Sequence, residues 1–172
     1  MLGHVYTLYI PLLITSVLHM VVVKYNLIPV LNVPLATRYF GKNKTYRGLL
    51  FLTVVNALFS TILANIAIAE ANPYGMPPYA VGALLGFSCI IAELPNSFIK
   101  RRLGIPPGES SAKHKWLFTL IDKTDSASAV SMCYVLLYAL GAKELIILFL
   151  FAFLLHVSVS YLLTAIKVKE SF

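Results

Sequence analysis

Five long apolar stretches constrain this chain more than any other feature of its sequence. They run over about residues 5–23, 48–69, 79–99, 127–140 and 145–166. A helix needs about 20 apolar residues to cross a bilayer, because every backbone polar group must be satisfied within the segment. The fourth stretch is short for a span, so we expect its helix to begin earlier or to rely on protein packing. We predict an all-α fold, a polytopic integral membrane bundle of five transmembrane helices.

The composition excludes a water-soluble globular fold. Of the 172 residues, 59% are hydrophobic and only 12% are charged, whereas soluble proteins carry about 25% charged residues. So few charges do not cover the surface of a soluble domain, and lipid must be the solvent for much of the chain. The sequence contains no internal repeat and no separate soluble region, so we predict a single membrane domain over residues 1–172.

The basic residues are concentrated in the connections between the apolar stretches. Of the 14 lysines and arginines, all but Lys143 lie in residues 24–47, residues 100–126 or the C-terminal tail. The positive-inside rule then places the N-terminus outside, and both long loops and the C-terminus in the cytoplasm. We expect a multi-pass protein of the cell membrane with its active site at the cytoplasmic face. Topology accounts for the basic clusters, so no nucleic-acid partner is expected; an oligomer is possible, but nothing indicates one.

Glu93 is an acidic residue inside the third apolar stretch. A carboxylate within a span costs about 2.5 to 3.5 kcal/mol on insertion scales, and such residues usually face a cavity or a partner. Ser97 and Lys100 follow at helical spacing, so one helix face carries a carboxylate, a hydroxyl and an ammonium group. Pro95 is expected to open or bend the helix here. The structural alternative is an ion pair between Glu93 and Lys100 or Arg101 at the membrane interface.

Two further carboxylates, Asp122 and Asp125, precede the fourth stretch. They share a face if this segment is helical, although the pair is equally suited to capping a helix N-terminus. Three carboxylates that converge at one end of the bundle would repel one another unless a cation lay between them. Mg²⁺ takes oxygen ligands and often shares them with substrate phosphates, so it fits this requirement.

Basic side chains that suit phosphate oxygens occur in two loop segments. The run GKNKTYRG, residues 41–48, supplies Lys42, Lys44, Thr45 and Arg47, and the segment KRRLGIPPG, residues 100–108, supplies Lys100, Arg101 and Arg102. The order of a Walker loop is missing from the first run. Both segments are also compatible with simple anchoring to anionic lipid headgroups.

Three strings carry a family resemblance: GKNKTYRG at residues 41–48, NSFIKRRLGIPPG at 96–108 and IDKTDS at 121–126. In this order among the apolar stretches, they resemble the CDP-archaeol synthase family of membrane CTP-dependent cytidylyltransferases, which is related to the CDP-diacylglycerol synthases. The larger group's pattern of a Ser, two residues and Lys-Arg is matched from Ser97, and its Asp-Arg-x-Asp-Ser is matched as Asp-Lys-Thr-Asp-Ser. A Gly-Asp pair of the family pattern is replaced here by Ala92 and Glu93.

The resemblance implies Mg²⁺-dependent transfer of CMP from CTP to a membrane lipid phosphate, which yields a CDP-lipid and pyrophosphate. It implies one or two Mg²⁺ ions, with Glu93, Asp122 and Asp125 as their ligands. The side chains expected at the reacting phosphates are Lys44, Arg47 and Lys100, and those expected to bind substrate are Lys42, Thr45, Ser97, Arg101 and Arg102. The alternative is a non-catalytic relative that binds anionic lipid or a protein partner; a Glu93-dependent transporter is a weaker one.

Overall fold

A computed structural model describes residues 1–66, 69–107 and 115–165. Within these ranges the chain is helical and has no β-strand. The helices are α1 (Leu2–Lys24), a short 3₁₀ helix (Pro29–Leu31), α2 (Thr37–Phe40), α3 (Tyr46–Asn65), α4 (Pro78–Arg102), α5 (Lys115–Leu137) and α6 (Ala142–Ala165). The ends of the second and fifth predicted stretches and the basic tail lie outside the described residues.

Four of the described helices, α1, α3, α4 and α6, are long and apolar enough to cross a membrane. They coincide with four of the predicted stretches, so the all-helical, multi-pass character of the chain is confirmed. The fourth predicted stretch lies in α5, which begins at Lys115 rather than near residue 127 and is 23 residues long. Asp122, Lys123 and Asp125 lie inside α5, which is not among the four helices that are apolar enough to cross a membrane.

The pairing of α3 with α4 depends on two glycines on one face of α4. A Cβ atom at Gly86 would lie 2.2 Å from the backbone oxygen of Leu52, and one at Gly82 would lie 2.7 Å from that of Asn56. Small residues four positions apart let two membrane helices approach closely. The buried Asn56 side chain then donates a hydrogen bond to the Gly82 carbonyl at 2.7 Å, an interhelical contact. Asn65 instead bonds back to Thr61 within α3.

The apolar core lies between α1, α4, α5 and α6 and includes Leu8, Leu85, Tyr134 and Leu148. Helix α4 is central, because it packs against α3 on one side and α5 on the other, and α5 in turn packs against α6. α4 also continues through Pro95 to Arg102 without a break, so the predicted opening of the helix at Pro95 is wrong.

Side-chain contacts define two ends of the bundle. At one end, the start of α1 meets the α3–α4 connection through a hydrogen bond from the Glu70 amide to Thr7 Oγ1 at 2.7 Å. At the other end, the two long connections meet, because a Cβ atom at Gly41 would lie 2.9 Å from Pro107 Cγ. Gly41 also has a φ of +83°, a backbone conformation that favours glycine. The described parts of both basic connections therefore lie at the same end of the molecule, called the basic end below.

Candidate active site

A cavity of about 530 Å³ opens inside the bundle towards the basic end. Its polar lining includes Lys44, Glu93, Asn96, Ser97, Lys100, Arg101, Asp122, Lys123 and Asp125. Its apolar lining comes mainly from α1, α5 and α6, through Leu12, Leu13, Met20, Val130, Leu155 and Val159. The cavity thus joins a charged chamber to an apolar one, which suits a ligand with a phosphate group and hydrocarbon chains.

Two helices that are distant in sequence bring the three predicted carboxylates to this one cavity. Glu93 comes from α4, and Asp122 and Asp125 come from successive turns of α5. The two aspartates lie well inside α5, which excludes the alternative that they cap its N-terminus. Glu93 and Asp125 are close enough to repel one another electrostatically.

The first of two ion pairs in the charged chamber joins Lys44 to Glu93. Lys44 lies just before α3, and Thr45 begins that helix by accepting a hydrogen bond from the Gly48 amide at 3.3 Å. Burial by itself lowers the pKa of the Lys44 ammonium group, but the Glu93 carboxylate raises it above its ordinary value. Lys44 therefore stays positively charged although it is largely enclosed.

The second ion pair joins Lys100 on α4 to Asp122 on α5. Lys100 Nζ lies 2.6 Å from each carboxylate oxygen of Asp122, and the Lys100 residue is only 8% exposed. The alternative that pairs Glu93 with Lys100 or Arg101 is therefore wrong: Glu93 pairs with Lys44, and Lys100 reaches across to α5. Glu93, Ser97 and Lys100 of α4 do line the cavity together, but the ion-pair partners of Glu93 and Lys100 lie on other segments of the chain.

Asn96, which the sequence reasoning did not select, connects the two aspartates. Its Nδ2 atom donates to Asp122 Oδ1 at 2.6 Å and to Asp125 Oδ2 at 3.1 Å. It precedes Lys100 by four positions, so both side chains lie on the face of α4 that meets α5. This spacing of four positions was the signal present in the sequence. It was not sufficient to select Asn96, because an asparagine within a membrane span is usually a packing residue.

The acidic side chains of the cavity fit Mg²⁺ only when substrate supplies the remaining ligands of the ion. Among the described residues, no three His, Cys, Asp or Glu side chains lie together in a group that would hold a metal by itself. The two aspartates, however, present carboxylate oxygens to the same amide nitrogen. Mg²⁺ is commonly held by one or two carboxylates together with substrate phosphates and water, and the aspartate pair meets that requirement.

The remaining predicted site residues divide into two groups. Ser97 and Arg101 line the cavity, and the Arg101 guanidinium also donates to the Ile105 carbonyl. The others are outside the cavity lining: Lys42 is exposed, Thr45 caps α3, and Arg102 lies over the Phe98 ring at 4.8 Å. These positions agree with the alternative of interface anchoring for Lys42 and Arg102.

Arg47 holds a loop rather than facing the cavity. It is 5% exposed, and its Nη1 atom donates to Asn26 Oδ1 at 2.9 Å and to the Leu27 carbonyl at 3.0 Å. Asn26 has a positive φ of 47° in the turn after α1. Arg47 therefore ties the end of α1 to the start of α3 and is not part of the cavity lining.

A sequence profile of a known family covers the residues of the charged chamber. The sequence profile described as CarS-like, CDP-archaeol synthase, matches residues 30–172, a range that includes every polar residue of the charged chamber. No solved structure matches the chain.

Three curated relatives are similar in sequence, and each is named CDP-archaeol synthase. The relative from Natronomonas pharaonis is 28% identical over 77% of this chain and 71% of its own length. The relative from Staphylothermus marinus is 31% identical over 62% of this chain and 52% of its own length, and that from Pyrococcus furiosus is 38% identical over 41% of each. Since the profile covers most of the sequence, the chain belongs to the CDP-archaeol synthase family.

Proposed function

We propose that this protein transfers CMP from CTP to the phosphate group of a membrane lipid at the charged chamber of its cavity. Family membership supports the reaction class, and the single observation that carries the assignment is the chamber itself. Three lysines and three carboxylates line it, and the same cavity continues into an apolar space between helices. Both a polyphosphate and a lipid phosphate therefore find suitable surroundings in one enclosure.

The reaction is an in-line displacement at phosphorus. A phosphate oxygen of the lipid forms a bond to the α-phosphorus of CTP, the bond from that phosphorus to the β-phosphate oxygen breaks, and pyrophosphate leaves. The lipid phosphate is already ionised near neutral pH, so no general base is needed. Catalysis then comes from holding the two reactants in line and from neutralising charge on the leaving group.

Lys44 and Lys100 are our candidates for binding the triphosphate. In the structure each is paired with a carboxylate, Lys44 with Glu93 and Lys100 with Asp122. A triphosphate would take over both ammonium groups and would leave those carboxylates without their cations. Arg101 and Ser97 stand beside Lys100 on the cavity wall and supply further donors to phosphate oxygens.

Asp122 and Asp125 are our candidates for holding Mg²⁺, and Glu93, which lines the same cavity but does not group with them, would act on the ion only through substrate or water. When bound there, the ion would polarise the phosphoryl group and stabilise the leaving pyrophosphate. The triphosphate would thus become the new partner of the lysines, and Mg²⁺ would become the new partner of the carboxylates. Nucleotide and metal are expected to bind together for this reason.

Topology and location are part of the proposal. We propose five membrane spans with α5 as the fifth, because its charged turns face protein partners rather than lipid. The positive-inside rule then places the basic end in the cytoplasm, where CTP is available. Residues 1–172 would form one membrane domain whose active site lies at the cytoplasmic face.

The test is transfer of label from [α-³²P]CTP to lipid by the purified full chain with Mg²⁺. Candidate acceptors are an unsaturated ether-lipid phosphate, a phosphatidate and a polyprenyl phosphate. We expect labelled CDP-lipid with at least one acceptor, and a loss of about 10²-fold or more in Asp122→Asn and Asp125→Asn, the scale of removing one strong electrostatic contact to the transition state. The control is Glu144→Gln, at the opposite end of the bundle.

CTP binding without CDP-lipid from any of these acceptors would contradict the proposal and favour a non-catalytic, lipid-binding member of the family. Full activity in both aspartate variants would instead show that the chemistry takes place elsewhere in the molecule.

A further inference from the structure

A second cationic group lines the cavity on the side formed by α5 and α6. Lys123 on α5 is only 5% exposed, and its Nζ atom donates to Ser160 Oγ on α6 at 2.5 Å. His156 precedes Ser160 by one helical turn, and all three side chains line the cavity. None of them belongs to the phosphate-binding set predicted from the sequence.

This group is separate from the lysines assigned to the nucleotide. Consecutive residues on a helix point about 100° apart, and the contacts of Asp122 and Lys123 follow this rule. Asp122 faces α4, where Lys100 and Asn96 bind it, whereas Lys123 faces α6 and Ser160. The α4 side and the α6 side of α5 therefore present different cations to one cavity.

Apolar side chains line the cavity beside the second group. Val159 and Leu155, the immediate neighbours of Ser160 and His156 on α6, line the cavity, as do Val130 of α5 and Leu12 of α1. A phosphate at Lys123 would thus have hydrocarbon beside it. A phosphate monoester that carries lipid chains matches this wall better than a triphosphate attached to a polar nucleoside does.

We infer that Lys123, together with Ser160 and His156, binds the phosphate monoester of the lipid acceptor at a site distinct from that of the CTP triphosphate. The inference rests on the proposed function. In that reaction two phosphate-bearing substrates must approach each other, although their negative charges repel. Two separate groups of cations allow both to be held while the reacting oxygen and the α-phosphorus lie between them.

The test separates the two substrates and uses the purified full chain in nanodiscs. Equilibrium dialysis measures binding of radiolabelled CTP with Mg²⁺, of a short-chain dialkylglycerol phosphate, and of inorganic phosphate. Initial rates measure KM for each substrate. The variants are Lys123→Met, Ser160→Ala and the charge-preserving Lys123→Arg, and Lys143→Met is the control because Lys143 is an exposed lysine at the start of α6.

We expect Lys123→Met to weaken binding of the short-chain lipid phosphate about tenfold or more and to raise its KM similarly, while the Kd for CTP changes less than twofold. Ser160→Ala should show a smaller change in the same direction, and Lys123→Arg should recover most of the affinity. Tighter binding of the lipid phosphate than of inorganic phosphate would identify the lipid as the ligand. Equal binding of the two would overturn that identification.

Two results would overturn the inference: an equal loss of CTP affinity in Lys123→Met, or unchanged lipid-phosphate affinity in a folded Lys123→Met protein. Ser160→Ala provides the same test if Lys123→Met does not fold. The binding measurements do not depend on turnover. Lysine-dependent lipid-phosphate binding without product would therefore contradict the proposed function alone, whereas normal turnover with unchanged binding in the variants would contradict this inference alone.

Discussion

Each carboxylate of the charged chamber faces a nitrogen donor of the same protein. Glu93 meets Lys44, Asp122 meets Lys100 and Asn96, and Asp125 meets Asn96. Since an unpaired charge in a low-dielectric environment is costly, each partner of these pairs compensates the charge of the other within the protein. They also oppose its ligands, because CTP alone must displace carboxylates from the lysines and Mg²⁺ alone must displace lysines from the carboxylates.

This competition predicts an unusual effect of Glu93→Gln. Removal of the carboxylate releases Lys44, so we expect CTP affinity measured without Mg²⁺ to rise about threefold to tenfold, the equivalent of a pair worth about 1 kcal/mol. The enhancement of CTP binding by Mg²⁺ should shrink in the same variant. Isothermal titration with CTP, in EDTA and in Mg²⁺, measures both quantities.

Glu144→Gln, remote from the cavity, serves as the matched control for this prediction, and Lys44→Met should weaken CTP binding under both conditions. Lower metal-free affinity in Glu93→Gln would show that Glu93 supports Lys44 in binding nucleotide rather than competing for it.

At the scale of elements, the close contact between α3 and α4 sets the geometry of the site. Helix α3 follows directly after Lys44, and α4 carries Glu93, Asn96 and Lys100. The pairing of Lys44 with Glu93 therefore requires these two helices to keep their separation. Gly82 and Gly86 determine that separation, because neither position has room for a larger side chain.

We accordingly expect Gly86→Leu to destabilise the protein by more than the 1 to 3 kcal/mol that is typical of overpacking, because the obstruction is the Leu52 backbone rather than a movable side chain. Thermal unfolding in detergent, followed by circular dichroism, should show a clear loss of Tm. CTP binding should fall with it, as the helices separate.

Leu84→Ile is the control for this effect, since Leu84 lies on the same helix and is 42% exposed. An unchanged Tm in Gly86→Leu would mean that the contact between α3 and α4 is not as close as the structure has it.

At the scale of the whole molecule, the distribution of charge matches the location of the cavity. The two basic connections meet at one end of the bundle, whereas the other end, where Glu70 contacts Thr7 and Tyr138, carries Lys143 as its basic side chain among the described residues. The proposed function needs this asymmetry, because CTP would arrive from water and the lipid phosphate from the membrane.

The orientation is testable with single cysteines in a Cys89→Ala, Cys133→Ala background. On intact cells a membrane-impermeant maleimide should label Lys143→Cys and should label Lys42→Cys only after permeabilisation, because both lysines are exposed but lie at opposite ends. The reverse labelling pattern would show that the basic end faces away from the cytoplasm and would contradict the proposed topology.

The sequence by itself determined that this is a helical membrane protein and which segments carry its chemistry. A spanning segment must satisfy its own backbone, so its position is a local property that the apolar run of residues already contains. The three strings around Lys44, Ser97 and Asp122 are also local, and they identified the family before any contact was known.

Only the tertiary structure decided which of those residues meet. The exchange of partners, with Glu93 bound to Lys44 and Lys100 bound to Asp122, depends on which helix faces oppose one another. Asn96 and Lys123 were missed for the same reason, since each acquires its position in the cavity from a neighbouring helix distant in sequence. Side-chain pairing is a property of packed faces, and the spacing within one helix does not specify the face that packs against it.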